Sequence, residues 1–222
     1  LCSVLSTSLL YVFVSFWFAV LYRLLLPPPL SSFCCVFFFF FQAEDCIRVA
    51  QESRGLGDVY KRQCPDCPFR ALFSALAKVD APVAGDAGCS IRATREPFCS
   101  ADVAYGLGSS AAVASGFSGK GIALMGDYAL AHSGLAGLIN AVWQKRDLLA
   151  VVLKNDVAAM TGFQEAPDLS RVLEALLPTS VLDLPAEEED VEAALRKELA
   201  RRGPSVLVAR GRCVMKKNSR KN

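Results

Sequence analysis

Residues 64–214 predict an α/β fold, a doubly wound and mostly parallel sheet with helices on its faces. Three observations carry that expectation. Apolar runs too continuous for half-exposed strands recur at 121–127 (GIALMGD), 147–155 (DLLAVVLKN) and 205–210 (SVLVAR). Segments whose apolar residues repeat at helical spacing lie between them. Gly126-Asp127 and Asn155 close two successive strands, at the carboxyl ends where such sheets bind ligands.

The elements follow in order. FRALFSALAKV at 69–79 has helical spacing. A short apolar segment around Pro82–Ala84 leads to GDAGC at 85–89. VAYGLGSSAAVASGF at 103–117 is small and apolar, which predicts a buried helix after a Gly-containing turn. The 121–127 strand precedes a helix over 133–145, with Ser133 placed as its N-cap. After the 147–155 strand, a helix over 168–177 has Asp168 as its cap, and VLDLP at 181–185 is a short strand. Residues 186–202 form an amphipathic helix with acids first and bases last, stopped by Gly203-Pro204. The 205–210 strand ends the domain.

The first 63 residues read differently. Residues 1–41 hold most of the Phe and almost no charge. LLYVFVSFWFAVLYRLLL at 9–26 is long enough to span a bilayer, and as protein it reads as a signal anchor or transmembrane helix. The competing reading is translated non-coding DNA, and the next stretch favours it. QAEDCIRV at 42–49 and SRGLGDVYKRQ at 53–63 resemble the two ends of a translated sequencing-library adapter, and Phe37–Phe41 is what a poly-T tract encodes. Residues 1–41 are therefore expected to be a translation artefact, 42–63 adapter-derived, 64–214 the folded domain and 215–222 a frayed tail. A membrane-anchored protein is the alternative should residues 1–41 prove genuine.

Charge and cysteine content narrow the function. A net charge of +2 gives no electrostatic case for nucleic acid. Cys64, Cys67, Cys89, Cys99 and Cys213 form an odd set with one CxxC, which suits metal or redox chemistry in a reducing compartment better than a disulfide framework. Cys64-x-x-Cys67 puts two sulfurs on one turn, and Cys89 and Cys213 can complete four ligands for an iron–sulfur cluster or Zn²⁺. The bland alternative is four buried, unligated thiols. Cys99 is expected to pack as a small hydrophobe.

The other constellation is Gly126, Asp127 and Asn155. One right-handed crossover separates the two strand ends, so both side chains can converge above the sheet. A carboxylate, an amide oxygen and a nearby main-chain carbonyl are hard ligands that suit Mg²⁺, with phosphate and water filling its remaining sites. Gly126 lets the backbone approach a phosphate. An ordinary turn and a capping Asn would look the same.

GDYALAHSGLAGLINAVWQKRDLLAVVLKNDVAAMTGFQ at 126–164 closely resembles the thiamine-diphosphate-binding module of the indolepyruvate ferredoxin oxidoreductase alpha subunits. CPDCPFRALFSAL at 64–76, GDAGC at 85–89, DVAYGLGSSAAVASGF at 102–117 and PSVLVARGRCV at 204–214 resemble that family's flanking segments, in the same order. The resemblance implies that Asp127 and Asn155 bind Mg²⁺ with the Val157 carbonyl. It implies that Gly108, Ser109 and Gly126 lie against thiamine diphosphate. His132, the only His, would sit near the phosphates; a structural His at a helix start is the other reading. No catalytic residue is assigned, because the cofactor carries the chemistry. Cys64, Cys67, Cys89 and Cys213 would hold a [4Fe–4S] cluster beside the thiamine.

The activity so implied is oxidative decarboxylation of an aryl 2-oxo acid to acyl-CoA, with electrons passed to ferredoxin. It implies a cytoplasmic hetero-oligomer with a beta subunit, using ferredoxin, CoA and a 2-oxo acid. This chain would be an incomplete fragment, inactive alone. Phe69 stands where the family has His, which loses any polar contact from that position. Lys154 and Asp156, and Glu96-Pro97, also depart from the family pattern, which puts substrate choice in doubt. A non-oxidative thiamine-dependent decarboxylase of the sulfopyruvate or phosphonopyruvate type is the alternative. It would need none of the four cysteines.

Overall fold

The computed structural model describes residues 64–219. The transmembrane and adapter readings of residues 1–63 lie outside the described residues. Among those described, no helix is long and apolar enough to cross a membrane.

The chain runs α1 (Arg70–Leu76), β1 (Val83–Gly85), a 3₁₀ turn (Cys89–Thr94), β2 (Val103–Ala104), α2 (Ser110–Ala114) and β3 (Gly121–Gly126). Next come α3 (Asp127–Ala129), a π-type turn (Leu130–Gly134), α4 (Leu135–Trp143) and β4 (Leu148–Lys154). A hairpin of β5 (Val157–Ala158) and β6 (Gln164–Glu165) precedes α5 (Ser170–Leu176) and β7 (Thr179–Asp183). Then follow α6 (Glu188–Leu199), β8 (Ser205–Arg210) and α7 (Val214–Ser219).

Six strands form one sheet in the order β2-β1-β3-β4-β8-β7, and every pairing is parallel. Helices cover both faces, which is why β3, β4 and β8 carry nearly continuous apolar runs. On one face Phe69, Phe73 and Leu76 meet Leu124, Leu153 and, from α6, Val191 and Leu195. On the other, Ala111, Leu138 and Leu173 pack against Met125 and Val152. Phe69 is fully buried, so the residue that departs from the family pattern is absorbed by the core.

Strand order reverses between β1 and β3. The chain leaves β1 for β2 on one side, then returns to β3 on the other. A crevice opens beyond the strand ends at such a point. Asp86 and Asp127, which follow β1 and β3 directly, flank it.

Several elements differ from expectation. Residues 103–117 are not one helix. A two-residue strand and a turn come first, and the helix is confined to Ser110–Ala114. Helix begins at Asp127, six residues before Ser133, so Ser133 caps nothing. Its hydroxyl instead donates to the Leu107 carbonyl at 2.6 Å. Cys99 is exposed rather than packed. A short helix spans Val214–Ser219, from the last residue of the expected domain into the 215–222 tail. Asp168 does accept the Ser170 N–H at 3.0 Å, as expected of a cap.

Candidate functional site

Asp127 leaves β3 as its chain turns into helix, which aims the carboxylate back over the sheet edge. Oδ2 accepts the N–H of Asn155 at 2.9 Å and of Asp156 at 2.6 Å, and Oδ1 accepts the N–H of Tyr128 at 2.8 Å. Burial pushes the carboxyl pKa up, and those three N–H groups hold it down in part. Asn155 ends β4; its Oδ1 accepts the Val157 N–H at 3.0 Å. The predicted pair is thus brought together, and Val157 lies within the same network.

The lone pairs left over decide what this pair can hold. A carboxylate offers about four acceptor positions and an amide oxygen two. Three N–H groups on Asp127 and one on Asn155 leave each side chain one lone pair for a hard cation. The donor set fits Mg²⁺. Above Gly126, space is open: a Cβ built there would meet nothing within 4 Å.

The turn after β2 closes the crevice. Gly108 has φ +76°, and a Cβ there would lie 2.3 Å from Ser133 Oγ and 2.6 Å from Gly134 N. Only glycine fits. The hydroxyls of Ser109 and Ser110, at the start of α2, are buried and lack a hydrogen-bond partner. Orphaned hydroxyls beside an open crevice fit a polar ligand. His132 is exposed in the π-type turn, with Nδ1 3.2 Å from Ser133 Oγ.

The cysteines gather at one corner. The Cys67 N–H bonds the Cys64 carbonyl at 3.1 Å, which closes the CxxC turn. The chain after β8 presses on that turn: a Cβ at Gly211 would lie 2.8 Å from Pro68 Cγ. That contact brings Cys213 toward Cys64 and Cys67. Burial pushes the Cys89 thiol up to about 12, and Cys67, Cys213 and Cys64 raise it further, while Arg92 opposes them. Cys67 is also raised by burial, with the Phe69 N–H and Arg92 opposing and Cys64 and Cys213 adding to the rise. None of the five cysteines from Cys64 onward is in a disulfide. Among the described residues, no group of three or more His, Cys, Asp or Glu side chains is placed to hold a metal ion. Asn155 Nδ2 lies 3.7 Å from Cys89 Sγ, so the thiol corner touches the oxygen-lined crevice.

Residues 86–209, more than half of the chain, match the family model described as thiamine pyrophosphate enzyme, C-terminal TPP binding domain. The chain belongs to this thiamine pyrophosphate enzyme family. Its cofactor is thiamine diphosphate. Two relatives are both named indolepyruvate oxidoreductase subunit IorA. That of Archaeoglobus fulgidus is 35% identical over 113 residues, 47% of this chain and 18% of its own length. That of Pyrococcus abyssi is 32% identical over 188 residues, 68% of this chain and 29% of its own length. The thiamine-binding chain therefore spans less than a third of these relatives. Among solved structures, the 2-oxoglutarate:ferredoxin oxidoreductase of Magnetococcus marinus has a TM-score of 0.56 at 16% identity, over 68% of this chain and 64% of that one. Benzoylformate decarboxylase of Polynucleobacter necessarius has a TM-score of 0.52 at 20% identity, over 67% and 34%. Both likenesses show the fold alone.

Two contributors escaped the sequence reading. Asp86, fully buried beside the crevice, was visible only as the acid of GDAGC. Arg92, whose charge bears on Cys67 and Cys89, carried no motif.

Proposed function

We propose that this chain supplies the diphosphate-and-magnesium half of a 2-oxo acid:ferredoxin oxidoreductase of the indolepyruvate type. The reaction converts an aryl 2-oxo acid and CoA to acyl-CoA and CO₂, and two electrons go to ferredoxin. Bound thiamine diphosphate supplies a nucleophilic carbon and an electron sink. Asp127 and Asn155, with the Val157 carbonyl, would hold the Mg²⁺ that neutralises the diphosphate. Gly126 leaves room for a phosphate, and Ser109 would lie against the cofactor. His132, on the rim, would face the phosphates.

Cys64, Cys67, Cys89 and Cys213 would hold a [4Fe–4S] cluster, which takes electrons singly. The observation that carries the oxidative reading is the contact of Cys89 with Asn155. With that contact the thiol corner would adjoin the proposed cofactor site, as a cluster receiving its electrons requires. A cytoplasmic hetero-oligomer with a beta subunit completes the proposal, in line with relatives named as subunits. A non-oxidative decarboxylase would have no use for that corner.

Iron content and visible absorption of the anaerobically purified chain test the choice. A brown, iron-loaded protein supports the oxidoreductase. A colourless, iron-free protein that binds thiamine diphosphate supports the decarboxylase.

A further inference from the structure

Asp86 is a buried acid beside the crevice that the proposed chemistry does not use. It follows β1 at the point where strand order reverses. Its Oδ2 accepts the Gly108 N–H at 3.0 Å. Its Oδ1 accepts the Ser90 hydroxyl, which also lies 3.0 Å from the Asp86 carbonyl. Ser90 is the neighbour of Cys89 on the 3₁₀ turn. One carboxylate thus ties the turn that closes the crevice to the turn that carries a thiol.

The same turn is held from the opposite side by Ser133, through the Leu107 carbonyl. Gly108 lies between the two holds in a left-handed conformation, where any Cβ would clash with Ser133 and Gly134. The turn carries the orphaned Ser109 hydroxyl.

We propose that Asp86 is a positioning residue: it clamps the Gly108 turn to the Cys89 turn and so fixes the wall of the cofactor crevice. The clamp acts through geometry and not charge. In Asp86→Asn the amide oxygen can accept the Gly108 N–H, and the NH₂ can donate to Ser90, whose proton turns to the residue-86 carbonyl. Both holds survive. Asp86→Ala loses both. The effect on cofactor affinity rests on the thiamine diphosphate reading; the clamp itself does not.

The test uses the full chain as wild type, Asp86→Ala, Asp86→Asn and Ser90→Ala. Amide hydrogen exchange of residues 105–109 reads the clamp. Calorimetric titration with thiamine diphosphate and Mg²⁺ reads the crevice. Asp86→Ala is expected to speed exchange at 105–109 and weaken cofactor binding by about tenfold or more each, equivalent to about 1.4 kcal/mol. Asp86→Asn is expected to restore both to within about threefold of wild type, a rescue that a general loss of packing would not show. Should Asp86→Ala fail to fold, Ser90→Ala, which removes one hold, is expected to speed the same exchange. Unchanged exchange in Asp86→Ala or Ser90→Ala overturns the clamp, as does an Asp86→Asn protein as impaired as Asp86→Ala. A wild-type chain that binds no thiamine diphosphate overturns the cofactor reading, while exchange at 105–109 still decides for or against the clamp.

Discussion

Asp127 and Asn155 come from the ends of adjacent, paired strands, whereas the four cysteines come from three separate stretches of chain. The first pair is fixed by backbone. The β3–β4 register sets Gly126 against Leu153, and main-chain N–H groups hold both side chains. The thiols sit on turns rather than on paired strands. They feel one another's charge but are not placed to grip a metal ion. A binding site inside the sheet's hydrogen-bond frame is built in advance. One assembled from loops distant in sequence needs its occupant to finish it.

That contrast sets the scale of expected effects. Asp127→Ala strands three backbone N–H groups and removes a proposed Mg²⁺ ligand. Mg²⁺-dependent thiamine diphosphate binding is expected to fall by about a hundredfold or more, with a stability loss of about 3 kcal/mol or greater, read by calorimetry and thermal melting. Gly108→Ala forces a Cβ into Ser133 and Gly134 at positive φ. It is expected to cost about 3 kcal/mol in denaturant unfolding. Both changes strike the prebuilt region.

A pH titration sharpens the comparison. Burial raises the Asp86 carboxyl from 3.8 to about 6, against opposing bonds from Ser90 and Gly108. The folded state therefore binds a proton before the unfolded state does. Stability from this group rises as pH falls from above about 6 toward 3.8, by up to ~3 kcal/mol. Asp86→Asn should remove that increment, seen as a smaller gain in stability between pH 7 and pH 4. An unchanged pH profile would contradict the raised value.

The thiol corner should answer in the opposite way. Under the proposed cluster, Cys89→Ser is expected to lower bound iron sharply while shifting the melting temperature by only a few degrees, because no disulfide depends on that sulfur and its contact with Asn155 Nδ2 is long at 3.7 Å. Far from both regions, Trp143 is 85% exposed. Trp143→Ala should change stability by less than about 0.5 kcal/mol and leave cofactor binding intact.

What the sequence made legible follows the same division. The β3, β4 and β8 runs were long, apolar and buried on both faces, so their periodicity announced them. Gly126-Asp127 and Asn155 were legible because strand ends are marked by the residues that follow. β2 was not, since two residues carry no alternation. The helix start at Asp127 was hidden because the π-type turn at Leu130–Gly134 leaves no capping signature, and Ser133 imitated one. Asp86 and Arg92 act through neighbours brought close only by the fold. The cysteines were visible as residue types, but their grouping depends on Gly211 packing against Pro68, which no local pattern records.

Calorimetric titration of the full chain with thiamine diphosphate, with and without Mg²⁺, tests the central claim most directly. Saturable binding that requires Mg²⁺ and disappears in Asp127→Ala is the predicted result. Binding that ignores Mg²⁺, or survives in Asp127→Ala, would contradict it.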